Sequence, residues 1–180
     1  SFYPDKFIVP NTEVVHDRVF LEMFRGCSRG CRFCQAGFIT RPVREKSPGK
    51  LICQAMQAQE MTGYDEIGLL SLSTGDYSKI KEFSQEIIDN LQESNSSLSL
   101  PSLRVDSFSL DLMEKARKTR KSGLTFAPEA GSERLRNIIN KDITEEEILN
   151  SMQLAFEGGW SSVKLYFMTG LPGETMEDIK

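Results

Sequence analysis

The alternation of strand-length apolar segments with amphipathic helical segments constrains the fold of this chain more than any other feature. The predicted strands cover residues 19–24, 67–73, 98–108, 124–127 and 163–168. The predicted helices cover residues 48–62, 78–93, 110–121, 132–140 and 144–157. Strands that alternate with helices in this way predict a parallel sheet whose strands are joined by right-handed crossovers.

Clusters of glycine, proline and polar residues follow four of the predicted strands, at residues 27–34, 73–76, 128–132 and 169–174. In parallel α/β folds, the chemically active residues lie at the carboxyl ends of the strands. An open sheet concentrates such residues at one switch point. Contributions from many strands to one face therefore favour a barrel. Because five strands are too few to close an eight-stranded barrel, the prediction is an α/β fold with a partial (β/α) barrel of parallel strands.

Several helix ends are predicted from local chemistry. Pro48 suits the first position of a helix, and Gly63 suits the residue that ends the same helix. Thr144 and Glu147 have the spacing of a capping box at the start of the last helix, whose predicted apolar stripe ends at Phe156. A short strand is also predicted at residues 7–9, within a lead-in or linker segment formed by residues 1–18.

The composition, with 39% hydrophobic and 27% charged residues, is typical of soluble domains. A net charge of -4 leaves no general basic footprint, so composition does not indicate a nucleic-acid partner. No apolar run approaches the ~20 residues of a membrane helix, and the first residues lack the pattern of a signal peptide. We therefore expect a reducing cytoplasm as the location, and an excerpt of a longer protein, since the chain begins without Met.

Three of the four cysteines lie within eight residues, at Cys27, Cys31 and Cys34. Spacing this tight indicates metal ligation rather than a disulfide framework. Three thiolates on one loop can bind three corners of a [4Fe-4S] cluster, which usually takes four cysteines, so that one iron stays open for an outside ligand. Gly26 and Gly30 let the backbone turn tightly around so bulky a group.

A zinc site with His16 as the fourth ligand is the alternative for the same cysteines. His16 is the only histidine, and it precedes the first predicted strand whereas the cysteines follow it. The ends of a six-residue strand are roughly 20 Å apart, which argues against this ligand set. Cys53 lies off the apolar stripe of its helix and about five helical turns of sequence beyond Cys34, so we interpret it as a bystander thiol.

The motif C-x3-C-x-aromatic-C at the end of a first strand resembles that of the radical S-adenosylmethionine (SAM) superfamily. The sequence of residues 26–37 and 41–44 is similar to that of a cobalamin-binding-type subgroup of the superfamily. The resemblance implies a radical SAM core over residues 19–180 that lacks its sixth βα unit and leaves a barrel edge exposed. It further implies that the three cysteines hold a [4Fe-4S] cluster, that the open iron chelates the amino and carboxylate groups of SAM, and that Phe33 packs near the adenine.

The resemblance also assigns contacts with SAM to residues that follow the later strands. Gly75 and Asp76 stand where the family often has Gly-Gly-Glu, which meets the methionine amino group, although aspartate is one methylene shorter than glutamate. The region after the fourth strand contacts the ribose or methionyl end, and the region after the fifth lies against the adenine. The implied cofactor-binding residues are Glu129 and Ser132 in the former region and Met168, Gly170 and Gly173 in the latter. Helix capping and turn formation are the ordinary structural explanations for such residues.

The function implied by the resemblance is that of a radical SAM enzyme. The [4Fe-4S] cluster reductively cleaves SAM to a 5′-deoxyadenosyl radical, which abstracts hydrogen from a substrate that the sequence does not identify. The implied partners are SAM, an electron donor such as flavodoxin or ferredoxin, and that substrate, with cobalamin in a domain outside this chain as a further cofactor. No catalytic side chain is assigned, because the isolated His16 supports no acid–base scheme.

Two alternatives stay open. The sequence of residues 128–132 and 170–175 is similar to that of methylthiotransferases. This similarity favours methyl or methylthio transfer to RNA or another substrate. A basic stretch beside the cysteines can meet a nucleic acid, although a solvated face is the simpler interpretation. Its members are Arg41, Arg44, Lys46 and Lys50. The other alternative is a non-enzymatic zinc or iron–sulfur module with a structural or redox role.

Overall fold

The computed structural model describes residues 3–4, 6–93, 96–99 and 123–179. Its strands are β1 (Val19–Glu22), β2 (Phe24–Arg25), β3 (Arg44–Glu45), β4 (Glu66–Leu70), β5 (Ser97–Ser99), β6 (Leu124–Glu129) and β7 (Val163–Phe167). Its helices are α1 (Gln35–Ile39), α2 (Pro48–Thr62), α3 (Ile80–Glu93), α4 (Glu133–Ile138), α5 (Glu145–Glu157) and α6 (Met176–Ile179), with a 3-10 turn at Thr74–Asp76 between β4 and α3. In this part of the chain, no helix is both long and apolar enough to cross a membrane.

Parallel pairing joins the main strands, as predicted. β4 lies between β1 and β5 in a three-stranded parallel sheet, and β6 pairs with β7 in a second parallel arrangement. The mixed α/β fold is confirmed, and over the described ranges the strands do not close into a barrel. The strand predicted at residues 98–108 is described only over Ser97–Ser99, and the helix predicted at residues 110–121 lies outside the described residues.

The strand predicted at residues 19–24 is divided in two at Met23. The N–H of Met23 donates to the carbonyl of Leu70 at 3.1 Å, and its carbonyl accepts from the N–H of Lys46 at 3.1 Å. The chain thus changes partner from β4 to β3, with which β2 forms a two-residue antiparallel ladder. The prediction of a strand at residues 7–9 is wrong, because these residues join no ladder and Ile8 is 98% exposed.

The larger core lies between the three-stranded sheet and helices α2 and α3. Leu21 of β1 and Ile67 of β4 are fully buried against Leu51 of α2 and Phe83 of α3. Burying a side chain of this kind contributes ~1.5–3 kcal/mol relative to leaving it exposed. Phe20, on the other face of β1, is 39% exposed, so the helices pack against one face of this strand.

The ends of two helices agree with the chemistry of the sequence. Helix α2 is followed by Gly63 at φ +73°, a left-handed conformation that glycine adopts without steric cost. Thr144 and Glu147 form the predicted capping box, since the N–H of Thr144 donates to Glu147 Oε2 at 2.8 Å and the N–H of Glu147 donates to Thr144 Oγ1 at 3.2 Å. The placement of Phe156 on the buried stripe is wrong, because its side chain is 52% exposed and Ala155 occupies the buried position.

A buried arginine organises the chain after β6. Arg136 of α4 is 2% exposed, and its Nε donates to the carbonyl of Ile143 at 2.6 Å. Its Nη1 donates to the carbonyls of Ala130 at 3.1 Å and Gly131 at 2.7 Å. Burial lowers the pKa of Arg136 because the charged guanidinium has lost its water. The side chain therefore ties the end of β6 to the start of α5.

Candidate functional site

The cysteine loop, residues 27–34, connects β2 to α1. Gly26 precedes it at φ +91°, and a Cβ on Gly26 would lie 2.7 Å from the carbonyl oxygen of Pro42, so a side chain is excluded there. Cys34 ends the loop as the N-cap of α1, and its sulfur accepts the N–H of Gly37 at 3.4 Å. The loop is therefore held at both ends by local contacts that position its cysteines.

None of the cysteines is in a disulfide. Cys31 is 9% exposed, while Cys27 and Cys34 are half-buried. A Cβ on Gly37 would lie 3.7 Å from Cys34 Sγ and 3.9 Å from Cys27 Cβ, so the first and last cysteines of the motif flank the same glycine of α1. Cys53 is exposed on α2, a separate element, and does not belong to this group.

Three cysteines on one short loop are a donor set that fits a [4Fe-4S] cluster. Among the described residues, no three His, Cys, Asp or Glu side chains are grouped as they are around one ion. A tetrahedral zinc ion needs all its sulfur ligands at about 2.3 Å from one centre. The ligands of a [4Fe-4S] cluster each bind a different iron, so they need only share a loop around it. His16, the alternative zinc ligand, is exposed before β1, with its ring 6.0 Å from that of Phe20.

Asp76 is paired with an arginine of the cysteine loop. Arg29 Nε donates to Oδ2 of Asp76 at 2.9 Å and its Nη2 to Oδ1 at 2.5 Å, the two-point geometry that a guanidinium and a carboxylate prefer. Gly75 and Asp76 both lie in the 3-10 turn after β4. The next residue, Tyr77, is buried and donates its hydroxyl to the carbonyl of Lys46 at 2.8 Å; burial raises the pKa of Tyr77 to about 12. This turn is therefore anchored to the loop by one residue and to the core by the next.

Glu129 and Phe33 both lie beside Lys141, a residue that the sequence did not single out, and Met168 is bonded to Glu129 through the backbone. Glu129 ends β6 at φ +73°, an uncommon conformation for a residue with a Cβ. Its Oε1 lies 3.2 Å from Nζ of Lys141, and the same Nζ lies 5.8 Å from the centroid of the Phe33 ring. The N–H of Met168 donates to the carbonyl of Glu129 at 2.8 Å. The end of β6, the residue after β7 and the cysteine loop are thus linked by these contacts, while binding of SAM by the three residues stays a prediction.

Three further predicted residues support local structure. Ser132 is the N-cap of α4, where its hydroxyl accepts the N–H of Leu135 at 3.1 Å and donates to the carboxylate of Asp178. Gly170 and Gly173 have φ of +83° and +80° in the segment between β7 and α6. Capping and turn formation explain these three positions without a ligand.

Two cavities open beside these strand ends. The first has a volume of about 420 Å³ and includes the predicted residues Ser132 and Met168. Its lining consists of Gly131, Ser132, Phe167, Met168, Thr169, Glu174, Glu177, Asp178 and Ile179. The second, of about 390 Å³, adjoins the base of the cysteine loop and is mainly apolar. Its lining consists of Glu22, Phe24, Arg25, Gly26, Thr40, Leu70, Ser71 and Leu72.

The carboxylate of Asp178 makes stability depend on pH at the first cavity. Arg134, Ser132 and Thr175 donate to it, and these bonds hold the pKa of Asp178 well below its usual range. Because the folded pKa is depressed, the stabilisation is present above the unfolded pKa of about 3.9 and is lost as the pH falls below it. We expect the thermal midpoint of the protein to drop as the pH falls from about 4 towards 2, and to drop less for Asp178→Asn.

Circular dichroism melts at each pH measure this effect. Glu146→Gln, at an exposed position on α5, is the matched control and is expected to keep the pH dependence of the wild type. Equal acid sensitivity of Asp178→Asn and the wild type would contradict the assigned role of Asp178.

A contact that the sequence did not predict joins the cysteine loop to residues 138–141, here called the α4 turn. The N–H of Arg32 donates to the carbonyl of Ile139 at 2.9 Å, and Nδ2 of Asn140 donates to the carbonyl of Gly30 at 2.8 Å. The guanidinium of Arg32 donates to the preceding carbonyl of the turn at 2.7 Å. Asn140 and Gly30 are 110 residues apart, so no local pattern relates them.

Comparison with known proteins gives a consistent result. The model of the radical SAM superfamily matches residues 21–180. The chain is 42% identical over 160 residues to an uncharacterized protein of Methanocaldococcus jannaschii, an alignment that covers 89% of this chain and 34% of that protein. It is 26% identical over 174 residues to the tRNA-2-methylthio-N(6)-dimethylallyladenosine synthase of Chlorobium phaeobacteroides, covering 88% of this chain and 37% of that protein. The chain thus spans about a third of the length of these curated relatives.

A solved structure supports the fold. It is the radical S-adenosylmethionine methyltransferase TsrM from Kitasatospora setae, with cobalamin and a [4Fe-4S] cluster bound. The TM-score is 0.73 at 14% sequence identity, and the match covers 89% of this chain and 32% of that one. At this identity the likeness concerns the arrangement of strands and helices.

Proposed function

The chain belongs to the radical SAM superfamily of enzymes, and on that premise we propose that it is the core of a longer radical enzyme whose Cys27, Cys31 and Cys34 bind a [4Fe-4S] cluster. The observation that carries the proposal is the cysteine loop, which places three thiols on one short segment at strand ends. Each thiolate would bind one iron, and the remaining iron would be open to the amino and carboxylate groups of SAM. Residues 1–18 lead into this core, which covers residues 19–180.

When bound and reduced, the cluster supplies one electron to the sulfonium of SAM, whose S–C5′ bond breaks to give methionine and a 5′-deoxyadenosyl radical that abstracts hydrogen from the substrate. The protein positions and shields the reactants. The N–H of Gly37 donates to the sulfur of Cys34, and hydrogen bonds to sulfur ligands tune the reduction potential of such clusters. The electron comes from a donor such as flavodoxin or ferredoxin.

Asp76 is the proposed acceptor for the ammonium group of SAM. A carboxylate has about four lone-pair sites, so Asp76 can accept from the ammonium while it remains paired with Arg29. Gly75 leaves the adjoining backbone open to the cofactor. The pairing with Arg29 aims the carboxylate at the segment that carries the cysteines.

Of the other proposed residues, some contact SAM directly and others shape the surrounding backbone. Phe33 and Met168 pack against the adenine, and Glu129 contacts the ribose or methionyl end. Ser132 shapes the first cavity through the N-terminus of α4. Gly170 and Gly173 act through the left-handed backbone of the segment that follows β7.

Asp76→Asn is expected to raise the Kd for SAM about tenfold or more, because one hydrogen bond between charged groups contributes ~1.5–3 kcal/mol. The amide also turns an N–H donor towards the guanidinium of Arg29, which weakens the pairing. Anaerobic titration calorimetry on the cluster-loaded protein measures the Kd. Asp89→Asn, an exposed position on α3, is the control. An unchanged Kd with a normal iron content would rule out this role for Asp76.

The direct test of the function uses the full-length protein, reconstituted anaerobically with iron and sulfide. We expect a brown protein with about four irons per chain. After reduction with dithionite and addition of SAM, we expect 5′-deoxyadenosine in the products. A colourless protein that binds one zinc ion and leaves SAM intact would refute the proposal and favour the non-enzymatic module.

A second candidate is methyl or methylthio transfer to RNA. It is favoured by the name of the Chlorobium relative, a tRNA-modifying synthase, and by the exposed cations Arg44 and Lys50, which follow the cysteine loop in the sequence. Arg41 and Lys46 donate to the carbonyl of Gly37 and the amide oxygen of Gln54, and Arg44 makes a longer bond of 3.4 Å to the carbonyl of Thr40. In this version, cobalamin or a second cluster is held outside residues 1–180. Mass spectrometry of nucleosides from RNA incubated with the enzyme tests it, and unmodified RNA would contradict it.

A further inference from the structure

The two peptide groups that flank Cys31 are both held by the α4 turn. The carbonyl of Gly30 belongs to the peptide group before Cys31, and it accepts from Nδ2 of Asn140 at 2.8 Å. The N–H of Arg32 belongs to the peptide group after Cys31, and it donates to the carbonyl of Ile139 at 2.9 Å. Because peptide groups are planar, these bonds restrict φ and ψ of Cys31 and hence the direction in which its sulfur leaves the backbone.

The hydrogen bond from Asn140 leaves no room for a side chain on Gly30, whose own backbone conformation does not demand glycine. Gly26 has a positive φ, whereas Gly30 does not. A Cβ on Gly30 would lie 2.7 Å from Nδ2 of Asn140, closer than real Cβ contacts come. Because Gly30 has no side chain, it leaves the space that the amide of Asn140 occupies.

Asn140 combines two roles that substitutions can separate. Its φ of +54° lies in the left-handed region. The N–H of Lys141 donates to the carbonyl of Arg136 at 2.8 Å and that of Asn140 to the carbonyl of Asn137 at 3.1 Å, which is the Schellman pattern of a helix end. Asparagine tolerates this backbone and glycine adopts it freely. The backbone role can thus be kept while the side-chain amide is removed.

We infer that Asn140 is a positioning residue for the cluster, because its amide holds Cys31 in the orientation that iron ligation requires. The inference rests on the proposed function, since it concerns the same three cysteines. Asn140 acts through Cys31 and is not itself a ligand. Residues that orient metal ligands in this way change metal affinity by about 10–100-fold when they are replaced.

The test compares Asn140→Asp and Asn140→Gly in the anaerobically reconstituted full-length protein. The aspartate variant keeps the size of the side chain but turns an acceptor towards the carbonyl of Gly30, and the glycine variant removes the amide. The rate of cluster loss to an iron chelator and the electron paramagnetic resonance spectrum of the reduced cluster are measured. We expect cluster loss about tenfold faster than in the wild type, with a changed spectrum, for both variants. Asn137→Asp, at an exposed position of α4, is the matched control and is expected to behave as the wild type.

A double substitution tests the contact itself. Gly30→Ala places a methyl group against Asn140 and is expected to speed cluster loss. Adding Asn140→Gly removes the overlapping amide, so the double variant is expected to lose its cluster more slowly than Gly30→Ala alone. Such non-additivity is the signature of two groups in contact. Independent effects of the two substitutions would overturn the inference.

The remaining outcomes separate this inference from the proposed function. Wild-type rates and spectra in both Asn140 variants would overturn the inference and leave the proposed function standing. A wild-type protein that takes up no cluster would overturn the proposed function. A lower unfolding temperature of cluster-free Asn140→Gly, combined with wild-type cluster retention, would make the role of Asn140 purely structural and would also overturn the inference.

Discussion

Loss of 5′-deoxyadenosine formation, by at least about a hundredfold, is the expected result of Cys31→Ser. A serine hydroxyl is a poor replacement for a thiolate at an iron–sulfur cluster. Cys31 is 9% exposed, so the place that its sulfur leaves is surrounded by protein rather than by water. Iron and sulfide per chain after reconstitution, together with 5′-deoxyadenosine after reduction with SAM present, measure the effect.

Cys53→Ser is the matched control for this experiment. Cys53 is exposed on α2, away from the cysteine loop, and its replacement is expected to leave iron content and turnover at the wild-type level. Full cluster content in Cys31→Ser, or loss of the cluster in Cys53→Ser, would show that the ligands are assigned to the wrong cysteines.

Arg136→Met is expected to destabilise the segment around α4 by about 3 kcal/mol or more. Methionine fills much of the volume but leaves the carbonyls of Ala130, Gly131 and Ile143 without the donors that Arg136 supplies. Each buried polar group that loses its partner costs ~1–3 kcal/mol. Hydrogen exchange of peptides from residues 124–145 in the full-length protein reports this locally, and protection is expected to fall about a hundredfold.

Arg134→Met provides the comparison within the same helix. The side chain of Arg134 is 51% exposed, and the buried carboxylate of Asp178 keeps its hydrogen bonds from Ser132 and Thr175 when Arg134 is replaced. A smaller loss of protection is expected than for Arg136→Met, because water reaches the exposed end of this ion pair and two residues still donate to Asp178. Equal losses in Arg134→Met and Arg136→Met would contradict the importance of burial for Arg136.

The helix ends that the sequence predicted have short-range causes. Gly63 after α2 and the Thr144–Glu147 pair before α5 act within one turn of helix, so their residue types are sufficient signals. The ribbon of β2 and β3 was missed because two-residue strands are too short to show alternation. Phe156 was misplaced because helical periodicity predicts a face but not what covers it.

The candidate site likewise contains some features that the sequence predicted and others that it did not. The spacing of the cysteines predicted one loop, and the strand-end rule predicted that Glu129 and Met168 lie near it. The partner of Asp76 could not be predicted, since Arg29 is 47 residues away and either residue had an ordinary surface explanation. Ligation by the cysteines and the contacts with SAM stay predictions that the experiments above address.

The bond between Asn140 and Gly30 has a consequence for biosynthesis. A ribosome completes the cysteine motif long before it reaches the residue 110 positions later that holds the motif in shape. Domains fold as units while the chain is being made, so this contact cannot form until residue 140 has emerged. If the cysteines bind a cluster as proposed, we expect iron and sulfide to be inserted after that point in synthesis.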